Sequence, residues 1–126
     1  MTKSTSKLVA FYCRSAVKNE QNIQKQQETL ANYAKENGIA EYKFYTDNGF
    51  SGNSLKRPAL KQLMNDIKDS KIAEIVVMDE SRLSRHKAQA DEFKQLFEEN
   101  NVKYIALQES ALMEWHRKNI AEASEN

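Results

Sequence analysis

The sequence predicts an α/β domain in three layers, with a mainly parallel sheet of about four strands and helices on both faces. Short apolar runs of strand length alternate along the chain with longer segments whose apolar residues recur at helical spacing. Only three Gly and one Pro occur in 126 residues, which leaves little room for a linker between domains. Both observations favour a single βα-repeating core.

The elements can be placed from these patterns. In chain order they are strand 8–13, helix 22–37, strand 42–46, a helix beginning near Pro58, strand 74–78, helix 87–100, strand 102–107 and a candidate helix near 110–123. The first strand, LVAFYC, is apolar throughout, as is typical of a strand buried on both faces. Gly38 stands where a left-handed helix cap is expected, and Pro58 suits a first helical position.

We expect residues 1–107 to form the main domain and residues 108–126 to form a helical C-terminal segment. A short apolar stripe in this segment consists of Ala111, Leu112, Trp115 and Ile120. Two interpretations of the stripe stay open. It is either the start of an oligomerisation helix or part of a terminal helix that packs on its own domain.

Composition limits the classes of function. Nineteen basic and eighteen acidic residues give a net charge of +1, far from that of a free-standing basic nucleic-acid binder. No apolar stretch is long enough to span a bilayer and no signal peptide is evident, which predicts a cytoplasmic protein without a membrane partner. The single Cys13 is interpreted as a small buried hydrophobe. No metal-ligand spacing or glycine-rich phosphate loop occurs, so we expect no metal and no cofactor.

Arginine is used sparingly and in particular places. Four of the five arginines, Arg14, Arg57, Arg82 and Arg85, lie after or just downstream of predicted strands, whereas fourteen lysines serve the rest of the chain. A planar guanidinium holds phosphate or carboxylate groups with two hydrogen bonds at once. Segments that follow parallel strands meet at one edge of the sheet. The sequence therefore predicts a phosphate site at that edge.

Hydroxyl groups accompany these arginines. Ser15 follows Arg14 directly, Ser51 lies in the polar loop before Arg57, and Ser81 and Ser84 alternate with Arg82 and Arg85. Arginines and serines without a histidine base suit phosphoryl transfer, in which stabilisation of charge dominates. The positive field of Arg14 would lower the pKa of a neighbouring hydroxyl, which makes Ser15 the candidate nucleophile. The other interpretation of these serines is that they form turns and helix caps.

Five short motifs occur in order along the chain: Tyr12–Cys13–Arg14–Ser15, Gln26, the run 45–52 (YTDNGFSG), the run 57–60 (RPAL) and the run 81–85 (SRLSR). Taken together, they resemble the catalytic domain of the serine recombinases, the resolvase/invertase family. Their order and spacing are specific jointly, and they cover roughly residues 8–107.

The resemblance implies site-specific exchange of DNA strands. In this family a serine attacks the scissile phosphodiester and becomes covalently linked to the 5′ phosphate, which requires neither ATP nor metal. By position, Arg14, Arg57, Arg82 and Arg85 would hold the phosphate, and Gln26 and Ser51 would support them. The resemblance also implies a homodimer or tetramer in the full protein. We expect only weak DNA binding by this chain alone, because few residues outside the site can neutralise phosphates.

Two positions depart from the family pattern. The nucleophilic serine of the family stands two places after the first arginine, where this chain has Ala16, and the available serine is one place earlier at Ser15. A shift of one residue in a strand moves a side chain to the opposite face, so Ser15 reaches the arginines only if the backbone bends there. An acidic residue commonly precedes RLxR. Here that place is taken by Ser81, and Asp79 or Glu80 is expected to substitute.

Three hypotheses of function follow. The first is a DNA strand-exchange catalytic domain, and the second is a catalytically silent regulatory or assembly module with the same fold. The third is a receiver-like signalling domain, in which Asp47 and Asp79 would belong to a magnesium site. That reading requires acidic residues after the first strand, where Arg14 and Ser15 stand instead.

Overall fold

A computed structural model describes residues 7–54 and 56–108. In this part of the chain, four parallel strands form one sheet in the order β2-β1-β3-β4. The elements are β1 (Leu8–Ser15), α1 (Glu20–Glu36), β2 (Tyr42–Asn48), α2 (Pro58–Lys68), β3 (Ile72–Val77), α3 (Glu80–Leu83), α4 (Lys87–Glu99) and β4 (Lys103–Ala106). The predicted α/β class with a parallel sheet is confirmed.

Strand β1 lies inside the sheet and separates two hydrophobic cores. Its side chains alternate between the faces, so Ala10 and Tyr12 pack into one core while Phe11 and Cys13 pack into the other. The first core contains buried residues of α2 and α4, and the second contains buried residues of α1. Helices therefore cover both faces, as predicted.

Local sequence explains where two of the helices begin and end. The Asn19 side chain accepts a hydrogen bond from the backbone of Asn22 at 3.0 Å, so α1 starts at Glu20, two residues earlier than predicted. Just beyond its end, Gly38 has φ of +66°, the predicted left-handed conformation. Pro58 is the first residue of α2, also as predicted.

The structure differs from the sequence prediction in two places near the sheet edge. Strand β1 continues through Ser15 instead of ending at Cys13, because its pairing with β2 extends to the register pair Ser15 and Asn48. A one-turn helix, α3, occupies part of the polar segment 79–86, where no helix was predicted. Its start is capped by Asp79, whose carboxylate accepts from the Ser81 backbone at 3.0 Å.

Two predictions lie partly or wholly outside the described residues: the candidate helix near 110–123 and the proposed boundary between 1–107 and 108–126. Within residues 7–54 and 56–108, none of the helices is both long and apolar enough to cross a bilayer.

Candidate active site

The end of β1 meets the segments that follow β2 and β3 at one edge of the sheet, and Arg14, the second-last residue of β1, connects all three. Its guanidinium is fully buried and donates to three carbonyl oxygens. Nη1 bonds to Phe50 at 2.9 Å, Nη2 to Ser81 at 2.6 Å and Nε to Arg82 at 2.9 Å. Most of the hydrogen-bonding capacity of this side chain is thus used inside the protein.

Arg57 occupies a neighbouring buried position. Its Nε donates to the carbonyl of Ser54 at 2.8 Å, and its Nη1 donates to the carbonyl of Arg82 at 3.1 Å. Nη1 also lies 3.4 Å from the Tyr12 hydroxyl. Nη2 is buried and has no hydrogen-bond partner among the described residues. Arg14 and Arg57 therefore share one acceptor, the carbonyl oxygen of Arg82.

Arg82 completes what we call the arginine cluster, Arg14, Arg57 and Arg82. Its Nη1 donates to the backbone carbonyl of Arg14 at 3.0 Å. Its Nε lies 3.5 Å from a carboxylate oxygen of Asp79, and its side chain is 24% exposed. Of the two acidic residues expected to orient an arginine here, Asp79 contacts Arg82, whereas Glu80 forms an ion pair with Lys94.

Arg85 lies at the surface beside this cluster. Arg85 is exposed, and a Cβ atom built on Gly52 would lie 3.0 Å from its Cγ and 2.8 Å from Nη2 of Arg14, so both arginine side chains lie close to this glycine. Burial lowers the pKa of Arg14, and the nearby positive charges of Arg57, Arg85 and Arg82 lower it further. The edge of the sheet therefore carries a local excess of positive charge, although the chain as a whole is almost neutral.

Ser15 does not share the position of these guanidiniums. Because β1 keeps its alternation to its last residue, the Ser15 side chain lies on the sheet face opposite to that of Arg14. Its hydroxyl donates to the carbonyl oxygen of Val17 at 2.6 Å, and the residue is 8% exposed. The bend that would have brought both side chains to one phosphate is absent from this described strand.

Gln26 supports the backbone at the end of β1. Its side-chain oxygen accepts from the Arg14 amide at 3.2 Å, and its side-chain nitrogen donates to the Arg14 carbonyl at 2.9 Å. Strand β3 pairs with β1 only as far as Phe11. Beyond that point, the side-chain amide of Gln26 supplies the backbone hydrogen bonds of Arg14 that a neighbouring strand would otherwise make.

Ser51 is exposed in the loop after β2. Its hydroxyl accepts from the Asn53 amide at 3.1 Å, a contact that belongs to the turn itself. The loop is held at Phe50, the preceding residue, by Arg14. Ser51 is thus adjacent in sequence to a residue that contacts the arginine cluster.

Tyr12 and Asp47 are part of the site but were not among its predicted residues. The Asp47 carboxylate accepts from the Tyr12 hydroxyl at 2.7 Å and from the amides of Ala59 and Leu60 at 2.8 and 3.0 Å. It therefore caps α2 from a neighbouring strand, where Arg57 in the cap position makes no side-chain cap. Burial, followed by the hydrogen bond to Asp47, raises the pKa of Tyr12. A signal for this role is present in the sequence. Helix α2, which starts with a proline, is preceded by Arg57, which is not a capping residue, so the cap must come from elsewhere in the chain.

Two further observations concern metal ligands and the single thiol. In residues 7–54 and 56–108, no three side chains of His, Cys, Asp or Glu lie together as metal ligands would. Burial raises the pKa of the Cys13 thiol to about 12, so this thiol remains protonated at neutral pH. Cys13 is buried, as predicted.

Comparison with known proteins matches this chain to resolvase and integrase domains. The sequence profile described as "Resolvase, N terminal domain" matches residues 9–124. The N-terminal catalytic domain of TP901-1 integrase is 34% identical, with a TM-score of 0.75 over 80% of this chain and 78% of that chain. A resolvase family site-specific recombinase from Streptococcus pneumoniae is 23% identical and has the same fold, with a TM-score of 0.67 over 95% of this chain and 94% of that one.

One curated relative is much longer than this chain. A protein of Bacillus subtilis (strain 168) named "Putative DNA recombinase" is 41% identical over 51 residues, which are 40% of this chain and 10% of the relative. The aligned part of this chain thus spans about a tenth of the length of that relative.

Proposed function

Since this chain belongs to the resolvase family of serine recombinases, we propose that it cleaves and rejoins DNA strands through a phosphoserine intermediate. The observation that carries the proposal is the arginine cluster with Arg85 beside it, at the sheet edge where ligands bind in parallel α/β folds. Its positive charges outnumber the two negative charges nearby, those of Asp79, which contacts Arg82, and of Asp47, which is connected to Arg57 through Tyr12. A phosphodiester of DNA supplies the anion that this edge lacks.

The arginines have different proposed roles according to their burial. Arg85 is exposed and Arg82 is partly exposed, so these two contact the non-bridging oxygens of the phosphate. Arg14 and Arg57 are buried and bonded to carbonyl oxygens, so they act chiefly through their charge and through the loops that they hold. Charges fixed before the reaction stabilise the pentacoordinate transition state without further reorganisation.

The proposed reaction exchanges one phosphodiester for another. The serine oxygen forms a bond to phosphorus, the bond from phosphorus to the 3′ oxygen breaks, and the 3′ oxygen takes up a proton as the serine loses one. The DNA is then linked to the protein through its 5′ phosphate. Because the bond energy is retained in the phosphoserine, rejoining by a 3′ hydroxyl needs no external source of energy.

Ser15 is the proposed nucleophile, and Ser51 is the second candidate. Attack by Ser15 requires its hydroxyl to leave the Val17 carbonyl and to rotate toward the face that carries Arg14. Ser51 is exposed and requires only that its turn contact with Asn53 be released. The alternative of a catalytically silent module is decided by the same experiment.

The experiment is covalent trapping of a DNA strand by this chain fused to a DNA-binding module that recognises a flanking site. The duplex carries sulfur in place of the bridging 3′ oxygen, so the leaving thiol rejoins poorly and the adduct persists on a denaturing gel. We expect an adduct that Ser15→Ala abolishes and Ser51→Ala retains. The reverse pattern assigns the nucleophile to Ser51.

Ala16→Ser is the matched gain-of-function variant, because position 16 holds the nucleophile in the family pattern. An adduct formed by Ala16→Ser but not by the unchanged chain supports a silent module with an intact phosphate site. The absence of an adduct in all four proteins contradicts the proposed function.

The same proposal predicts two kinds of partner, DNA and further copies of this chain. The net charge of +1 supports weak DNA affinity for this chain alone, since affinity depends on the number of phosphates neutralised. Specific binding then depends on association into a dimer or tetramer and on DNA-binding regions beyond the part described. DNA as substrate agrees with the predicted cytoplasmic location.

A further inference from the structure

Two glycines in the loop after β2 are required for different physical reasons. Gly49 has φ of +92°, a backbone conformation that side chains rarely adopt, and a Cβ atom there would meet ordinary contact distances of 3.5 Å to Lys18. Gly52 has no left-handed φ. The reason for glycine at position 52 is therefore space and not backbone conformation.

The space at Gly52 is filled by two arginines. A Cβ atom at this position would lie 2.8 Å from Nη2 and 3.0 Å from Cζ of Arg14, and 3.0 Å from Cγ of Arg85. The Arg14 guanidinium cannot easily move away, because three carbonyl oxygens hold it. Gly52 is also buried, although it lies in a loop between two exposed residues, Ser51 and Asn53.

We propose that Gly52 is a positioning residue that keeps the exposed Arg85 against the buried Arg14, so that two guanidiniums act on one oxyanion. This inference rests on the proposed function and assigns a role to a residue without a side chain. Like charges held this close repel each other, and a bound phosphate or sulfate removes that repulsion. A methyl group at position 52 separates the two arginines or displaces the loop that Arg14 holds.

The first test uses the unchanged chain and needs no variant. Nuclear Overhauser contacts are expected from the Gly52 α-hydrogens to the Arg85 γ-hydrogens and to the Arg14 guanidinium. Their absence overturns the inference. The side-chain Nε–H resonance of Arg14, assigned by its loss in Arg14→Lys, serves as the probe for the next step.

The second test compares Gly52→Ala with Gly38→Ala, using inorganic sulfate as the anion. Gly38 has a left-handed φ and nothing within 4 Å of a built Cβ atom, so it controls for the general effect of replacing a glycine. We expect Gly52→Ala to shift the Nε resonances of Arg14 and Arg85 and to weaken sulfate binding about tenfold, the effect of one lost hydrogen bond to a charged group. Gly38→Ala is expected to change neither.

Unchanged Arg14 and Arg85 resonances in Gly52→Ala, or unchanged sulfate affinity, overturn the inference, as does an unchanged chain that binds no sulfate. Failure of the proposed function is recognised separately. In that case the resonance shifts and the loss of sulfate affinity are observed, while covalent trapping of DNA fails in every serine variant.

Discussion

Two tyrosines stand side by side in the sheet, and their surroundings differ in charge. Tyr12 of β1 and Tyr45 of β2 are register partners in the same hydrophobic core, and each donates to a buried aspartate. Tyr45 bonds to Asp66 at 2.6 Å, and Asp66 also accepts from Gln62 at 3.0 Å. Tyr12 bonds to Asp47, but its hydroxyl is also approached by Arg57 of the arginine cluster.

The difference distinguishes the hydrogen-bonded network of Tyr45, Asp66 and Gln62, called here the Tyr45 network, from the arginine cluster, for which we propose a function. In the Tyr45 network, hydrogen bonds satisfy the one buried carboxylate, and Lys43 and Lys71 supply its balancing charge. The arginine cluster carries three positive charges against the two carboxylates of Asp79 and Asp47. An excess of like charge in a largely buried site costs free energy unless an anion balances it, and this excess supports the anionic ligand that we propose.

The largest effect is expected when the carbonyl bonds of the arginine cluster are removed. Arg14→Ala leaves the carbonyl oxygens of Phe50, Ser81 and Arg82 without this donor, and we expect it to lower the free energy of unfolding by about 3 kcal/mol or more. Urea denaturation of the variant and of the unchanged chain measures the loss. A loss below about 1 kcal/mol would show that Arg14 does not hold the three segments together.

The Tyr45 network is expected to give a smaller effect that depends on pH. Burial raises the pKa of Asp66, but hydrogen bonds from Tyr45 and Gln62 and the charges of Lys43 and Lys71 outweigh it, so the pKa is lowered overall. Asp66→Asn should therefore cost about 1 to 2 kcal/mol at neutral pH.

The sign of the pH dependence follows from that lowered pKa. The stability contributed by Asp66 is present above the unfolded carboxyl pKa of about 4 and is lost as the pH falls through the folded value. Urea denaturation between pH 7 and 3 should show the difference between Asp66→Asn and the unchanged chain narrowing at the acidic end. Asp69→Asn, at the exposed end of α2, gives the baseline for loss of a surface carboxylate. A constant difference for Asp66→Asn across this range contradicts the assignment.

The smallest effect on stability is expected at Arg85. This variant therefore separates ligand binding at the arginine cluster from its contribution to stability. Arg85→Ala removes an exposed charge that repels Arg14, so the free energy of unfolding should change by no more than about 0.5 kcal/mol. Sulfate binding should nevertheless be reduced, as thermal unfolding with and without sulfate will show. A variant that loses stability but keeps its response to sulfate would reverse the roles of Arg85 and Arg14.

The fold could be predicted from the sequence because the apolar residues follow different patterns in the strands and in the helices. Apolar runs such as LVAFYC and the spacing of Leu60, Leu63 and Ile67 report burial directly, and parallel topology then follows from their alternation. The placement of arginines after strands likewise predicted that they meet at one edge of the sheet, where the structure brings Arg14, Arg57 and Arg82 together. These signals are local in the chain, which is why they could be interpreted without coordinates.

The details of the site depend on contacts that no local pattern specifies. Two more residues of β1 determine the face on which the Ser15 hydroxyl lies, and strand ends are set by pairing with β2. The sequence predicted Arg14 as a phosphate-binding group, but could not show that its donors face carbonyl oxygens. Asp47 caps a helix that begins eleven residues later, so its role depends on tertiary structure.

The bonds of Arg14 also determine when the site can exist during synthesis of the protein. They connect residues separated by 36, 67 and 68 positions, so two of them span as much of the chain as the pairing of β1 with β3. Local helices can form early, but closing such long loops comes late in folding. A nascent chain on the ribosome therefore has no complete arginine cluster until the segment after β3 has emerged, and the cutting function that we propose is withheld until then.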